Sequence, residues 1–156
     1  MKKTLLATML AVLAVSASAV EVGVIGGVTY HSGIHDSNQA GVTIGEKFGP
    51  FGATVEADHN YTMKTATNAD RYSLIGSYDV VKLGPAQVAV KAGVDYLSQR
   101  SDSALSPGYG LMAGVGASVP VAGKVSATVD YRYDAGQSRV KALNGSQVLF
   151  GVKYAF

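Results

Sequence analysis

The chain has 156 residues, 13 of them basic and 11 acidic, with 19 glycines and no cysteine. Without cysteine, disulfide scaffolds, thiolate metal sites and thiol nucleophiles are excluded. The small net charge excludes the strong basic field of a nucleic-acid binder, and the length suits one domain.

The first element is an export signal over residues 1–19. Lys2 and Lys3 precede an apolar run from Leu5 to Val15, and Ala17-Ser18-Ala19 supplies the small-residue cleavage site. Its removal leaves 137 residues starting at Val20, in which 11 bases face 11 acids. No later stretch approaches the ~18 apolar residues that a membrane helix needs.

From Val20 onward the dominant period is two, which is the strand signature. The pattern divides into eight segments, 20–30, 38–48, 51–61, 70–80, 86–96, 109–119, 123–133 and 146–156. Each matches the ~9–11 residues of a tilted membrane-spanning strand. The connections alternate in length. Phe48-Gly49-Pro50-Phe51, Val81-Lys82-Leu83-Gly84-Pro85 and Pro120-Val121-Ala122-Gly123 are tight, with Gly and Pro supplying turn geometry. His31 to Ser37, Thr62 to Ala69, Leu97 to Gly108 and Asp134 to Gly145 are longer and polar. Outer-membrane barrels alternate in this way, with short turns on the periplasmic side and longer loops outside.

One choice of phase per strand sorts the side chains into two faces. The apolar face carries Val20, Val22, Val24, Val28 and Tyr30 on the first strand, and Val148, Phe150, Val152, Tyr154 and Phe156 on the last. All 9 Tyr and 4 Phe fall on it, whereas only Glu46 and Asp70 of the charged residues do. The other face carries the acids Glu21, Glu56, Asp58, Asp79, Asp95 and Asp130. It also carries the bases Lys47, Arg71, Lys91, Lys124, Arg132 and Lys153, interleaved with most strand glycines. Buried charges persist only when paired, so this six-to-six balance predicts a closed, salt-bridged interior. Glycine opposite the long Arg and Lys stems supplies room for them.

A soluble barrel with the apolar face inside satisfies the same alternation but fails on volume. Eight strands enclose an interior just wide enough for side chains, and the 9 Tyr and 4 Phe together with the aliphatics would overfill it. The aromatics also gather at strand ends. Tyr30, Tyr61, Tyr72, Tyr96, Tyr109 and Tyr133 lie by the long connections, and Phe48, Phe51, Tyr78, Tyr154 and Phe156 by the tight turns. Two aromatic girdles flanking a Val/Ala band match the two interfaces of a bilayer. The expected fold is therefore all-β, an eight-stranded antiparallel up-and-down transmembrane β-barrel over 20–156.

Over its whole mature length the chain resembles the small eight-stranded outer-membrane barrels of the OmpA/OmpX type. The sharpest element of the resemblance is the last strand, Val148-Leu149-Phe150-Gly151-Val152-Lys153-Tyr154-Ala155-Phe156. The resemblance implies that Phe150, Val152, Tyr154 and Phe156 are read by the barrel assembly machinery during insertion. It further implies an outer-membrane location in a Gram-negative-type envelope, a monomer, and contact with outer-membrane lipid and lipopolysaccharide.

Few residues suggest chemistry. His31 and His35 stand with Asp36 in the first long connection, a spacing able to hold a metal or a proton. His35-Asp36-Ser37 also resembles the His-x-Ser pattern of lipid A deacylase barrels. His59 falls on the apolar face near a girdle. The glycine-rich stretches around Gly23 to Gly27 and Gly110 to Gly116 lie inside strands, with no helix N-terminus to cradle phosphate. The expectation is a non-enzymatic structural or surface-interaction barrel with no cofactor. The alternatives are an outer-leaflet lipid-modifying enzyme using His31 or His35, and a narrow pore for small solutes.

Overall fold

The computed structural model describes residues 19–31, 34–62, 68–99, 108–136 and 145–156. The export signal expected over 1–19 lies outside these residues except for Ala19. Eight strands follow in chain order: β1 (Val20–His31), β2 (Ile34–Phe48), β3 (Phe51–Thr62), β4 (Asn68–Leu83), β5 (Ala86–Gln99), β6 (Gly108–Ala122), β7 (Val125–Gly136) and β8 (Gly145–Ala155). Each pairs antiparallel with its sequence neighbour. The sheet closes where Val24 of β1 stands against Val152 of β8. The chain is an eight-stranded up-and-down barrel of the transmembrane type.

Val20, Phe156 and the three tight turns lie at one end of the barrel, and the strand ends His31, Ile34, Thr62, Asn68, Gln99, Gly108, Gly136 and Gly145 lie at the other. Each tight turn has two central residues, the first a glycine with positive φ: Gly49 at 62°, Gly84 at 61° and Gly123 at 52°. At Gly49-Pro50 and Gly84-Pro85 the proline fixes the second φ near −65°, giving a type II′ hairpin turn that matches the strand twist.

Several strands run past the expected bounds. β1 and β2 continue until only residues 32 and 33 join them, with a register shift at Thr29/Tyr30 that leaves Asp36 unmatched. The expected seven-residue first loop is thus mostly hairpin. A strand beyond an apolar band no longer needs alternating apolar residues, so its extension reads as polar loop. At the opposite end, β4 and β6 carry register shifts at Asp79/Val81 and Pro120/Ala122, and both reach the turn with added residues.

The two faces differ in burial as their alternation predicts. Outward side chains such as Val24, Phe150 and Leu111 are about three-fifths exposed (59%, 61% and 62%). Inward ones such as Ile25, Ile75, Met112 and Leu149 are buried. Aromatic rings meet in pairs at both rims. Tyr96 and Tyr109 lie 5.0 Å apart at the long-connection end, and Phe51 with Tyr78 at the same separation by the first tight turn.

Candidate functional site

The lumen is filled by two arginine-centred layers stacked along the barrel axis. At the long-connection end, Arg71 of β4 donates from Nε to Asp58 Oδ2 (2.9 Å) and from Nη1 to Asp134 Oδ2 (2.7 Å). Its Nη2 donates to both Gln39 Oε1 (2.6 Å) and Gln147 Oε1 (2.9 Å). Gln39 donates to Gln147 over the intervening β1, Gln147 donates to Asp134, and Asn60 donates to Asp58. Strands β2, β3, β4, β7 and β8 all contribute, so one guanidinium bridges the lumen from wall to wall. Arginine suits this place because its planar fork satisfies several acceptors at once.

Further towards the tight turns, Arg132 of β7 makes a bidentate pair with Glu56, Nη1 to Oε1 at 2.7 Å and Nη2 to Oε2 at 3.0 Å. Nη2 also reaches Asp130 Oδ2 at 2.9 Å, and Lys91 Nζ holds the other oxygen of Asp130 at 2.5 Å. A Cβ on Gly116 would collide with Asp130 Oδ1 and stand 2.9 Å from Lys91 Cε. Glycine there makes the space that the Lys91–Asp130 pair occupies. At the tight-turn mouth, Lys47–Asp79 (3.0 Å) and Lys153–Glu21 (3.5 Å) complete the series.

Between the second layer and this mouth lie two small adjoining hollows of about 30 and 50 Å³. Lys91, Ser77, Thr128, Asp130 and Lys153 border both. Such volumes hold a few waters and no larger solute.

Of the charges expected inside, Glu21, Glu56, Asp58, Arg71, Asp79, Lys91, Asp130, Arg132 and Lys153 all stand in these ion pairs. Asp95 is also inside and buried. Its Oδ2 has no hydrogen-bond partner among the described residues, nor has the Oγ of Ser73 directly across on β4. Lys124 is a correction: it is exposed in the Gly123-Lys124 turn and does not enter the lumen. Its position has the inward parity of β7, but β7 begins only at Val125, and alternation does not extend into a turn.

Asp134 is the opposite case, a residue assigned to a loop that β7 carries inward to 2% exposure. Exchanging Lys124 for Asp134 turns the even balance into an excess of two acids among the described inward residues, gathered around Arg71. Continuing the β7 alternation one step past Arg132 would have found Asp134. Gln39 and Gln147 lie at inward positions too and were missed because the count considered only charges.

The outer wall carries polar pairs too, among them the Tyr131–Ser146 hydroxyl contact at 3.0 Å. His59 Nδ1 and Asp70 Oδ1 lie 2.6 Å apart, in register on β3 and β4, and the His59 ring meets Tyr61 edge-on at 4.3 Å. Ser98 of β5 stands across from Asp70, on the side away from His59. The order across the wall is thus His, Asp, Ser. In a nucleophilic triad the imidazole must lie between the carboxylate and the hydroxyl whose proton it takes, and here the carboxylate is in the middle. His31 and His35 belong to the paired backbone of the β1–β2 hairpin. Their side chains lie outside the described ones, as does that of Asp36. Among the described residues no group of three or more His, Asp or Glu side chains is arranged to hold a metal ion.

Phe150, Val152, Tyr154 and Phe156 all point outward along β8 and its end, and Tyr154 meets Phe156 edge-on at 5.0 Å. Phe156 N also donates to Val20 O, fastening the chain end to the first strand.

No protein-family model and no curated protein matches this sequence. Solved structures match it closely in shape. The N-terminal β-barrel domain of Pseudomonas aeruginosa OprF superposes with a TM-score of 0.71 at 16% identity, over 89% of this chain and 98% of that one. Neisserial surface protein A gives 0.63 at 18% identity, over 90% and 98%. A major outer membrane protein from Thermus thermophilus gives 0.61 at 16% identity, over 90% and 100%. At these identities the likeness is one of fold, that of the small eight-stranded outer-membrane barrels.

Proposed function

We propose that this protein is an integral outer-membrane barrel with a structural or surface-interaction role, exported by its first 19 residues. The observation that carries the reading is the pairing of two opposite surfaces in one sheet. An apolar wall with aromatic rims faces out, and a lumen crossed by arginine-centred ion-pair layers faces in. In lipid every backbone group must be paired internally, and a closed barrel with no sheet edge meets that demand. The tight turns, Val20 and Phe156 face the periplasm, and the four other connections face outside, where they contact envelope components or the surroundings.

The role is non-enzymatic. The His-Asp-Ser order on the outer wall does not suit nucleophilic catalysis, and the two hollows found among the described lumen residues are too small for a substrate. The same hollows, with the Arg71 and Arg132 layers across the path, argue against a pore for solutes. Outer-membrane lipid and lipopolysaccharide are the surrounding partners of a monomer, and the outward aromatic strand end at Phe150, Val152, Tyr154 and Phe156 is what the barrel assembly machinery would read.

Two measurements test this. The protein should fractionate with outer membranes, begin at about Val20 and migrate faster unheated than heated on gels, whereas recovery as a soluble periplasmic protein would refute the reading. Planar-bilayer recording should show no steady, large conductance from the monomer. A porin-like current would replace the closed-lumen reading with the pore.

A further inference from the structure

We propose that the upper layer of the lumen holds a small monovalent cation, seated between Asp95 of β5 and Ser73 of β4. The inference rests on the closed barrel and goes beyond the membrane reading by assigning the lumen a ligand.

The two ends of the lumen are unequal in charge. From Arg132 to the tight-turn mouth, Glu21, Glu56, Asp79 and Asp130 are met by Lys47, Lys91, Arg132 and Lys153 in ion pairs. The excess of two inward acids among the described residues therefore lies wholly in the Arg71 layer, with Asp58, Asp95 and Asp134. Arg71 is taken up by Asp58 and Asp134. Those two acids also accept hydrogen bonds from Asn60 and Gln147, which spread their share of the excess. Asp95 has no such help. It is 2% exposed, and its Oδ2 is sealed without a hydrogen-bond partner. A buried carboxylate persists only when it is paired or holds a metal ion.

The neighbour of Asp95 selects the ligand. Ser73 stands directly across from it on β4, also inward and 2% exposed, and the Ser73 Oγ has no partner either. The hydroxyl could donate to the carboxylate, yet no hydrogen bond joins them. A proton on Asp95 would link the two oxygens only in hydrogen-bonding geometry, which they do not adopt. An ion of finite radius coordinates both. On the other side of Asp95 stands Gly110 of β6, which puts no side chain over the carboxylate. The two unpartnered atoms are thus both oxygens, one anionic and one neutral, and oxygen ligands are what hard cations take. A single free carboxylate matches a single positive charge. Calcium gathers several carboxylates, and no group of three acids among the described residues is arranged for it.

The test refolds wild type, Asp95→Asn and Ser73→Ala from urea into phosphatidylcholine vesicles, at one pH, in sodium chloride or in choline chloride of equal concentration. Choline is too bulky to sit between lumen side chains. The wild-type folded gel band should survive heating several-fold longer in sodium, with a gain that saturates as sodium replaces choline. Asp95→Asn has no charge to offset and should survive equally long in both salts. Ser73→Ala should keep the gain but need several-fold more sodium to reach half of it. Equal wild-type lifetimes in the two salts would overturn the site and leave water or a proton at Asp95. A sodium gain retained in full by Asp95→Asn would overturn it too, by placing the ion elsewhere. If Asp95→Asn does not fold, an unshifted sodium midpoint in Ser73→Ala overturns the site. Failure of the wild type to insert into vesicles in either salt would instead refute the membrane reading itself, and the site with it.

Discussion

Arg71 and Arg132 are both inward, both nearly sealed from solvent (3% and 4% exposed), and differ in their company. Arg132 belongs to a balanced set, in which Glu56 and Asp130 are matched by Arg132 and Lys91. Arg71 is the only cation of its layer among the described residues. It holds Asp58 and Asp134 directly and has Asp95 nearby, with Gln39 and Gln147 filling its remaining reach. The difference shows that a charge count over the whole lumen is the wrong unit. Desolvation is settled locally, so each layer must be considered with its own partners.

The comparison is broken most directly at Arg71. Arg71→Met removes the cation of the upper layer and leaves two aspartates without it. Stranding buried partners typically costs 3–5 kcal/mol, and this substitution should sit at the upper limit, about 5, in urea unfolding of the barrel in lipid. Arg132→Met should cost less, about 3 kcal/mol, because Lys91 still holds Asp130 and Glu56 alone is stranded. Equal losses for the two would mean that Lys91 does not compensate and that the layers are not independent.

Charge placed on the wrong side of the sheet sharpens the same point. Val90 is outward and flanked by Tyr78 and Val115, one residue from inward Lys91. Val90→Arg should cost roughly 2–4 kcal/mol in vesicle refolding, whereas Lys91→Arg keeps a cation beside Asp130 and should be far milder. A reversed order would invert the assignment of the two faces. The smallest effect is expected at Lys124. Lys124→Ala should leave the unfolding midpoint unchanged, since an exposed turn lysine has no lumen partner to strand. A loss comparable to Lys91→Ala would return Lys124 to the interior.

The alternation of the sequence made most of this architecture legible. Period two is a strict geometric rule of a pleated strand, so all the tyrosines and phenylalanines could be put on one face, and Arg71, Lys91 and Arg132 on the other, before any contact was known. Legibility ends where the rule does. Asp134 and the extended β1–β2 hairpin lie beyond the apolar band, where nothing forces alternation on the outward residues. Lys124 has the right parity in a place that is no longer strand. Gln39 and Gln147 were in view but uncharged, and what makes them part of the Arg71 layer is their juxtaposition across strands far apart in sequence, which a single chain does not display. The His59–Asp70 pair is of the same kind. Each residue was visible singly on the apolar face, and only the β3–β4 register brings them together.

The seam between β1 and β8 has a consequence for how the barrel is made. Glu21 is paired with Ala155 and Val24 with Val152, so the contacts that close the sheet join opposite ends of the chain. Every other strand pair joins sequence neighbours and can form as a hairpin, but this one cannot form until the last strand has been delivered. Until the seam forms, β1 and β8 are open edges whose unpaired backbone groups attract other chains in water and are costly in lipid. Folding is therefore all-or-none with respect to the seam, slow because its decisive contacts are the most distant in sequence. A chain cut short before β8 has no partial barrel to fall back on.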